Sequence, residues 1–138
     1  MGGDIRIGTV SSVELETGMV SVIYRDRDDE VTQFLPYATF NDEYKPPKIG
    51  EKVVVLHLSN GGEMGIVLGT YWNEENKSKA QGIYHKKIAE NAYFNYDKGI
   101  LTILAEHIRF FATADGEDVT LAKLMEDIKK IKQKLDIT

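Results

Sequence analysis

The chain has no cysteine, which removes disulfides and thiolate metal sites as ways of holding a small protein together and suits an intracellular origin. Proline is scarce at three residues in 138, so little of the chain is barred from regular structure. Long apolar runs are missing too. VVVL at 53–56 is among the longest, and it is far too short to cross a bilayer. Nor is there an excess of positive charge. The net charge is −5, a poor match for the phosphates of nucleic acid. The opening MGGDIRIG has no basic stretch followed by an apolar core, so no secretory leader is expected there. Arg6 stands where an N-myristoylation motif asks for Ser or Thr.

What is present is a folding composition, 42% hydrophobic and 28% charged, in a chain long enough for one domain and an appendage or two very small domains. The first seventy residues read as strands. IRIGTVSSVEL (5–15) and GMVSVIY (18–24) are β-branched runs separated by Glu16 and Thr17, with Gly18 free to take a positive φ, so they form a hairpin. RDRDDE (25–30) is a charged loop, and VTQFLPY (31–37) is a third strand that Pro36 ends or confines to an edge. The adjacent prolines and the glycine of NDEYKPPKIGE (41–51) exclude helix or central strand. KVVVLHLS (52–59) and EMGIVLGTYW (63–72) are the fourth and fifth strands, joined by the turn signal NGG at 60–62. Five strands without a convincing helix predict a small closed barrel such as an OB-fold over residues 1–72. Alternation on the last two strands places Val54, Leu56, Ile66 and Leu68 in or near its core.

NEENKSKAQG (73–82) has no periodic apolar signal and reads as a linker. Beyond it, IYHKKI (83–88), NAYFNY (91–96), ILTILAEHIRFFAT (100–113) and DVT (118–120) are strands, with turns at Asp97-Lys98-Gly99 and Asp115-Gly116. So short a β segment, 83–120, buries little area alone and needs the barrel or other copies of itself. From 121 to 138, Leu121, Leu124, Ile128, Ile131 and Leu135 follow the 3-4-3-4 spacing of a heptad seam, with Thr120 or Asp118 able to cap the start. Two readings of that amphipathic helix stand on periodicity alone. It packs on its own domain, or it joins a short coiled coil between chains. The need of the preceding strands for a partner adds weight to the second.

The marks IGTV (7–10), KIGEKVVVL (48–56) and GIVLGTYWNEEN (65–76) resemble the baseplate assembly protein V family of contractile phage tails, the central spike, related in design to type VI secretion spike proteins. The similarity covers roughly residues 5–76, and its motif residues here are Gly65, Val67, Leu68, Gly69, Tyr71 and Asn73. It implies a homotrimer in which three OB-folds form a collar under the tail tube. The following segments wind into an intertwined β-prism or β-helix; the C-terminal coiled-coil helix on Leu121, Leu124, Ile128, Ile131 and Leu135 is expected from the heptad spacing and not from the similarity. The implied role is structural, in a virion or phage-tail-like bacteriocin particle assembled in the bacterial cytoplasm. The implied partners are tail hub and tube baseplate proteins, with or without a separate tip protein. Neither nucleic-acid binding nor stable membrane insertion before contraction belongs to it. Many relatives carry prolines where this chain has KSKAQ, and end in a β-helix tipped by iron-binding histidines where this chain ends in a helix, so no metal tip is expected.

Signals for chemistry are weak. His57, His85 and His107 have no ligand spacing, although one histidine per chain on a threefold axis would supply three ligands. DRDDE (26–30) lacks the spaced oxygens and Gly of a calcium loop, and GGEMG (61–65) lacks the Lys and helix start of a phosphate loop. No elbow surrounds Ser11, Ser12 or Ser59, and Glu74 and Glu75 are adjacent residues of the linker. No catalytic residue, cofactor or metal is therefore assigned. The alternative function is an OB-fold that binds single-stranded nucleic acid through Tyr24, Arg25, Arg27 and Phe34. Asp26, Asp28, Asp29 and Glu30 oppose a phosphate backbone there.

Overall fold

Glu16, Thr17 and Gly18 turn the chain between β1 (Asp4–Glu14) and β2 (Met19–Tyr24), with Gly18 at φ 75°. The computed structural model describes residues 4–58, 63–78, 80–112 and 117–136, so Ser59, the NGG turn and the Asp115-Gly116 turn lie outside the described residues. The chain is mainly β, with antiparallel sheets and, among the described residues, one short helix. It divides into two compact units, Met1–Ser78 and Lys79–Thr138.

In the first unit, β3 (Glu30–Val31), β4 (Lys52–His57) and β5 (Gly65–Thr70) complete a five-stranded sheet in the order β3-β2-β1-β4-β5. The third strand is far shorter than the 31–37 run expected, for two reasons visible in its bonds. The Thr32 hydroxyl accepts the Val22 N–H at 3.0 Å, taking a ladder donor, and Pro36 has no N–H to offer. Leu35 and Tyr37 still make single bridges, one antiparallel to Val20 of β2 and one parallel to Val67 of β5. One short segment thereby bridges β2 and the edge strand β5.

The buried core is Val10, Val20, Val22, Tyr24, Leu35, Val53, Val55 and Val67, with His57 buried beside it. This corrects the expected core by one residue. Val54, Leu56, Ile66 and Leu68 are half-buried and alternate with the buried set. VVVL is apolar on both faces, so period-2 alternation carries no polar marker of which face turns inward. A bulge between Val54 and Val55 also shifts the register against β5, so Val54 faces Gly69 and Val55 faces Val67.

The second unit holds β6 (Tyr84–Ala89), β7 (Ala92–Asp97) and β8 (Ile100–Leu104) as an antiparallel meander, and β9 (Arg109–Ala112) paired with β10 (Glu117–Thr120). Lys98 at φ 47° and Gly99 at φ 83° make the two-residue β7–β8 turn, the left-handed pair that suits strand twist. The strand expected over 100–113 is interrupted at 105–108, where Ala105-Glu106-His107-Ile108 separates β8 from β9. β10 passes directly into α1 (Leu121–Lys134), the only helix among the described residues.

Candidate assembly surface

The helix is built for one apolar stripe. Thr120, with extended backbone, accepts the Lys123 N–H at 3.1 Å and caps the start. Lys123–Asp127 at 2.9 Å and Lys130–Glu126 at 2.7 Å brace the polar side with pairs one turn apart. Lys132 and Lys134 lie in the last turn, where cations complement the helix dipole. At the far end the Leu135 N–H donates to the Ile131 carbonyl at 3.0 Å. The stripe itself is open. Leu121 is half-buried, but Leu124 is 43%, Ile128 45%, Ile131 56% and Leu135 63% exposed, and no helix residue is buried. An isolated helix of this length is marginal in water, so its stability depends on what covers the stripe.

The meander shows the same pattern. Opposite residues of an antiparallel pair share a face. Tyr84 faces Tyr96, which faces Leu101, and Lys86 faces Phe94, which faces Ile103, so one face carries five large apolar side chains. Tyr84, Tyr96, Leu101 and Ile103 are exposed, and Phe94 is half-buried. The other face is mixed, with His85, Asn95, Thr102, Lys87 and Tyr93; His85 Nδ1 is hydrogen-bonded to Asn95 Oδ1. On the β9–β10 hairpin, Phe110 and Val119 pair and are both exposed. A third apolar strip lies on the first unit, where Ile5 faces Leu56, which faces Ile66, and Ile7 faces Val54. Ile5 and Ile7 are exposed. Single exposed apolar residues are ordinary, but contiguous strips mark surfaces that meet something.

The six motif residues take structural places. Gly65 pairs with His57, and an added Cβ would lie 2.8 Å from the Leu56 carbonyl and 3.1 Å from His57 Nδ1. Val67 is core, Leu68 sits at the bulge, and Gly69 there adopts φ 144°. Tyr71 is half-buried and Trp72 exposed. Asn73 ties the end of the strand: its Oδ1 accepts the N–H groups of Glu75 at 2.9 Å and Asn76 at 3.1 Å, and its Nδ2 donates to the Tyr71 carbonyl at 3.1 Å. That Asx-type turn is why an Asn follows the aromatic pair. Lys52 and Glu75, 3.4 Å apart, fasten the turn to β4.

Polar chemistry is concentrated at one buried pair. Tyr24 Oη and His57 Nε2 are hydrogen-bonded inside the first unit, and Arg6 lies 5.5 Å above the Tyr24 ring. Burial pushes the Tyr24 hydroxyl up to about 12. The Arg6 guanidinium, 2.8 Å from Asp4, holds that carboxyl below the usual range. Gly8 makes room for the ring, since a Cβ there would come 2.8 Å from Tyr24 Cε1. His85 and His107 belong to the second unit, and His107 is exposed. No group of three His, Asp or Glu side chains placed to hold a metal occurs among the described residues. Of the aromatics considered for base stacking, Tyr24 is buried and offers no face, whereas Phe34 is exposed; Arg25 is paired with Asp29 at 3.3 Å.

The five helix residues therefore share one stripe, whereas the motif residues organise the end of β5. The meander face went unrecognised in the sequence. Its signal was the Asp97-Lys98-Gly99 turn, whose two-residue loop fixes which β7 and β8 residues stand opposite each other. The buried Tyr24–His57 pair joins residues thirty-three positions apart and left no local signal. Comparison with protein-family models and with curated proteins gives no match.

Proposed function

We propose that this chain is a structural, non-enzymatic homotrimer: the central spike or hub component of a contractile phage tail or phage-tail-like bacteriocin baseplate. The observation that supports it best is the pair of open apolar faces in the second unit, Tyr84, Phe94, Tyr96, Leu101 and Ile103 on the meander and Leu124, Ile128, Ile131 and Leu135 on α1. Three meanders with these faces turned inward would close a triangular β-prism, and three helices would close a short coiled coil. In the first unit, the bridges through Leu35 and Tyr37 link β2 to β5, so the ring order departs from chain order. That is how a partly open Greek-key barrel of the OB kind is built, and it supports the OB-fold reading. The resemblance of GIVLGTYWNEEN to the baseplate assembly protein V family supplies the biological setting.

The trimer would dock its barrels to tail hub and tube proteins and pass the force of sheath contraction toward the target envelope. Interchain packing without free edges would make it stiff. In particles purified from the bacterium that encodes this chain, antibodies against it should label the baseplate end of a contractile tail. Labelling of the tube or sheath instead, or purified particles free of the chain, would contradict the assignment.

A further inference from the structure

The heptad seam fixes letters for every position of α1. With Leu121, Ile128 and Leu135 at a and with Leu124 and Ile131 at d, Asp127 falls at g and Lys132 at e of the following heptad. In parallel helices held in register, the g residue of one chain lies beside that e residue of its neighbour, and such pairs set partner and orientation. Asp127 carries the negative charge this geometry needs. It is half-buried on its own helix and reached there only from one side, by Lys123 at 2.9 Å. Lys132 has no ion-pair partner among the described residues, unlike Lys123 and Lys130 on the same helix. Ile at both an a and a d position, Ile128 and Ile131, favours three strands over two.

We propose that the α1 seam is covered by the same seam of two further copies of this chain, parallel and in register, with Asp127 of each copy paired to Lys132 of the next. The pairing rests on the homotrimer proposed above and adds to it an orientation, a register and a charge pair that selects for self. Cyclic threefold symmetry points all helices the same way. An antiparallel pair of chains would instead bring g residues together and set Asp127 beside Lys134, so the two lysines discriminate between the arrangements.

Charge reversals in the full chain test it, with mass by sedimentation equilibrium over a urea series as the readout. Lys132→Glu should dissociate at lower urea than the wild-type chain, because three like-charged contacts replace three attractive ones. Adding Asp127→Lys to it should recover part of the loss despite breaking the Lys123–Asp127 pair, and Lys134→Glu alone should lower the midpoint less than Lys132→Glu does. Loss in Lys134→Glu with none in Lys132→Glu would overturn the parallel arrangement while leaving self-association intact. A wild-type trimer indifferent to all three variants would show that the copies meet elsewhere, which overturns the inference and spares the trimer. A monomeric wild-type chain would remove both.

Discussion

Tyr24 and His57 are hydrogen-bonded to each other in the interior of the first unit, edge to face with ring centroids 5.6 Å apart. The pair ties β2 to β4, strands that are not neighbours in the sheet. Tyr24→Phe leaves His57 Nε2 without its partner, at a cost of about 1–3 kcal/mol for a buried group. The pH dependence carries a second signature. A hydroxyl raised to about 12 in the folded chain, against 10 in the unfolded one, adds stability that is complete below pH 10 and lost as pH rises toward 12. Thermal melts should therefore show Tyr24→Phe less stable at pH 7 and flatter than wild type between pH 10 and 12. Parallel alkaline slopes for the two proteins would contradict the buried pair.

The inward face of β5 is set by Val67. Replacing Val67 with Ala removes methyl groups from a fully buried site and should cost about 2 kcal/mol. Leu68→Ala removes more carbon from a half-buried bulge and should cost less. Urea unfolding of the two variants measures the order, and the reverse order would put the wrong face inward.

Gly65 faces His57 across the β4–β5 ladder with no room for a methyl group. Gly65→Ala should destabilise by about 1–3 kcal/mol through overpacking against the Leu56 carbonyl and the imidazole. Pairing it with His57→Ala frees one of the two contacts, so the double variant should cost less than the sum of the singles. Strict additivity in urea melts would separate the two residues.

These residues also mark how much was legible in sequence. Turn chemistry was: Gly18, and Asp97-Lys98-Gly99, act locally, and the hairpins stand where those residues put them. Thr120 caps α1 because the Lys123 N–H that its hydroxyl accepts lies only three residues on. Whatever depended on nonlocal pairing was not. The choice between Val53 and Val54 as the inward residue rests on which sheet face the rest of the chain covers, and Tyr24 finds His57 only once β1 lies between their strands. The candidate surface divides the same way. The helix stripe follows from spacing, whereas the meander face follows from register across three strands.

Amides of β6, β7 and β8 should gain protection from hydrogen exchange as chain concentration rises, since their apolar face has cover only in the assembly proposed. Exchange followed by mass spectrometry over a dilution series reads it. Protection that is high and independent of concentration would show that this sheet needs no other copy.

Changing Ile128 and Ile131 together to Asp would put repelling charges on the proposed threefold axis, where burial of charge is costly. The first unit should melt as in wild type while the assembly weakens. A lowered melting temperature of the first unit with the assembly intact would mean that α1 packs on its own chain.

The most direct measurement is the mass of the full chain in solution, by light scattering behind a sizing column at micromolar concentration. Three times the chain mass is the expected result, and a monomer that persists on concentration would contradict the spike proposed here.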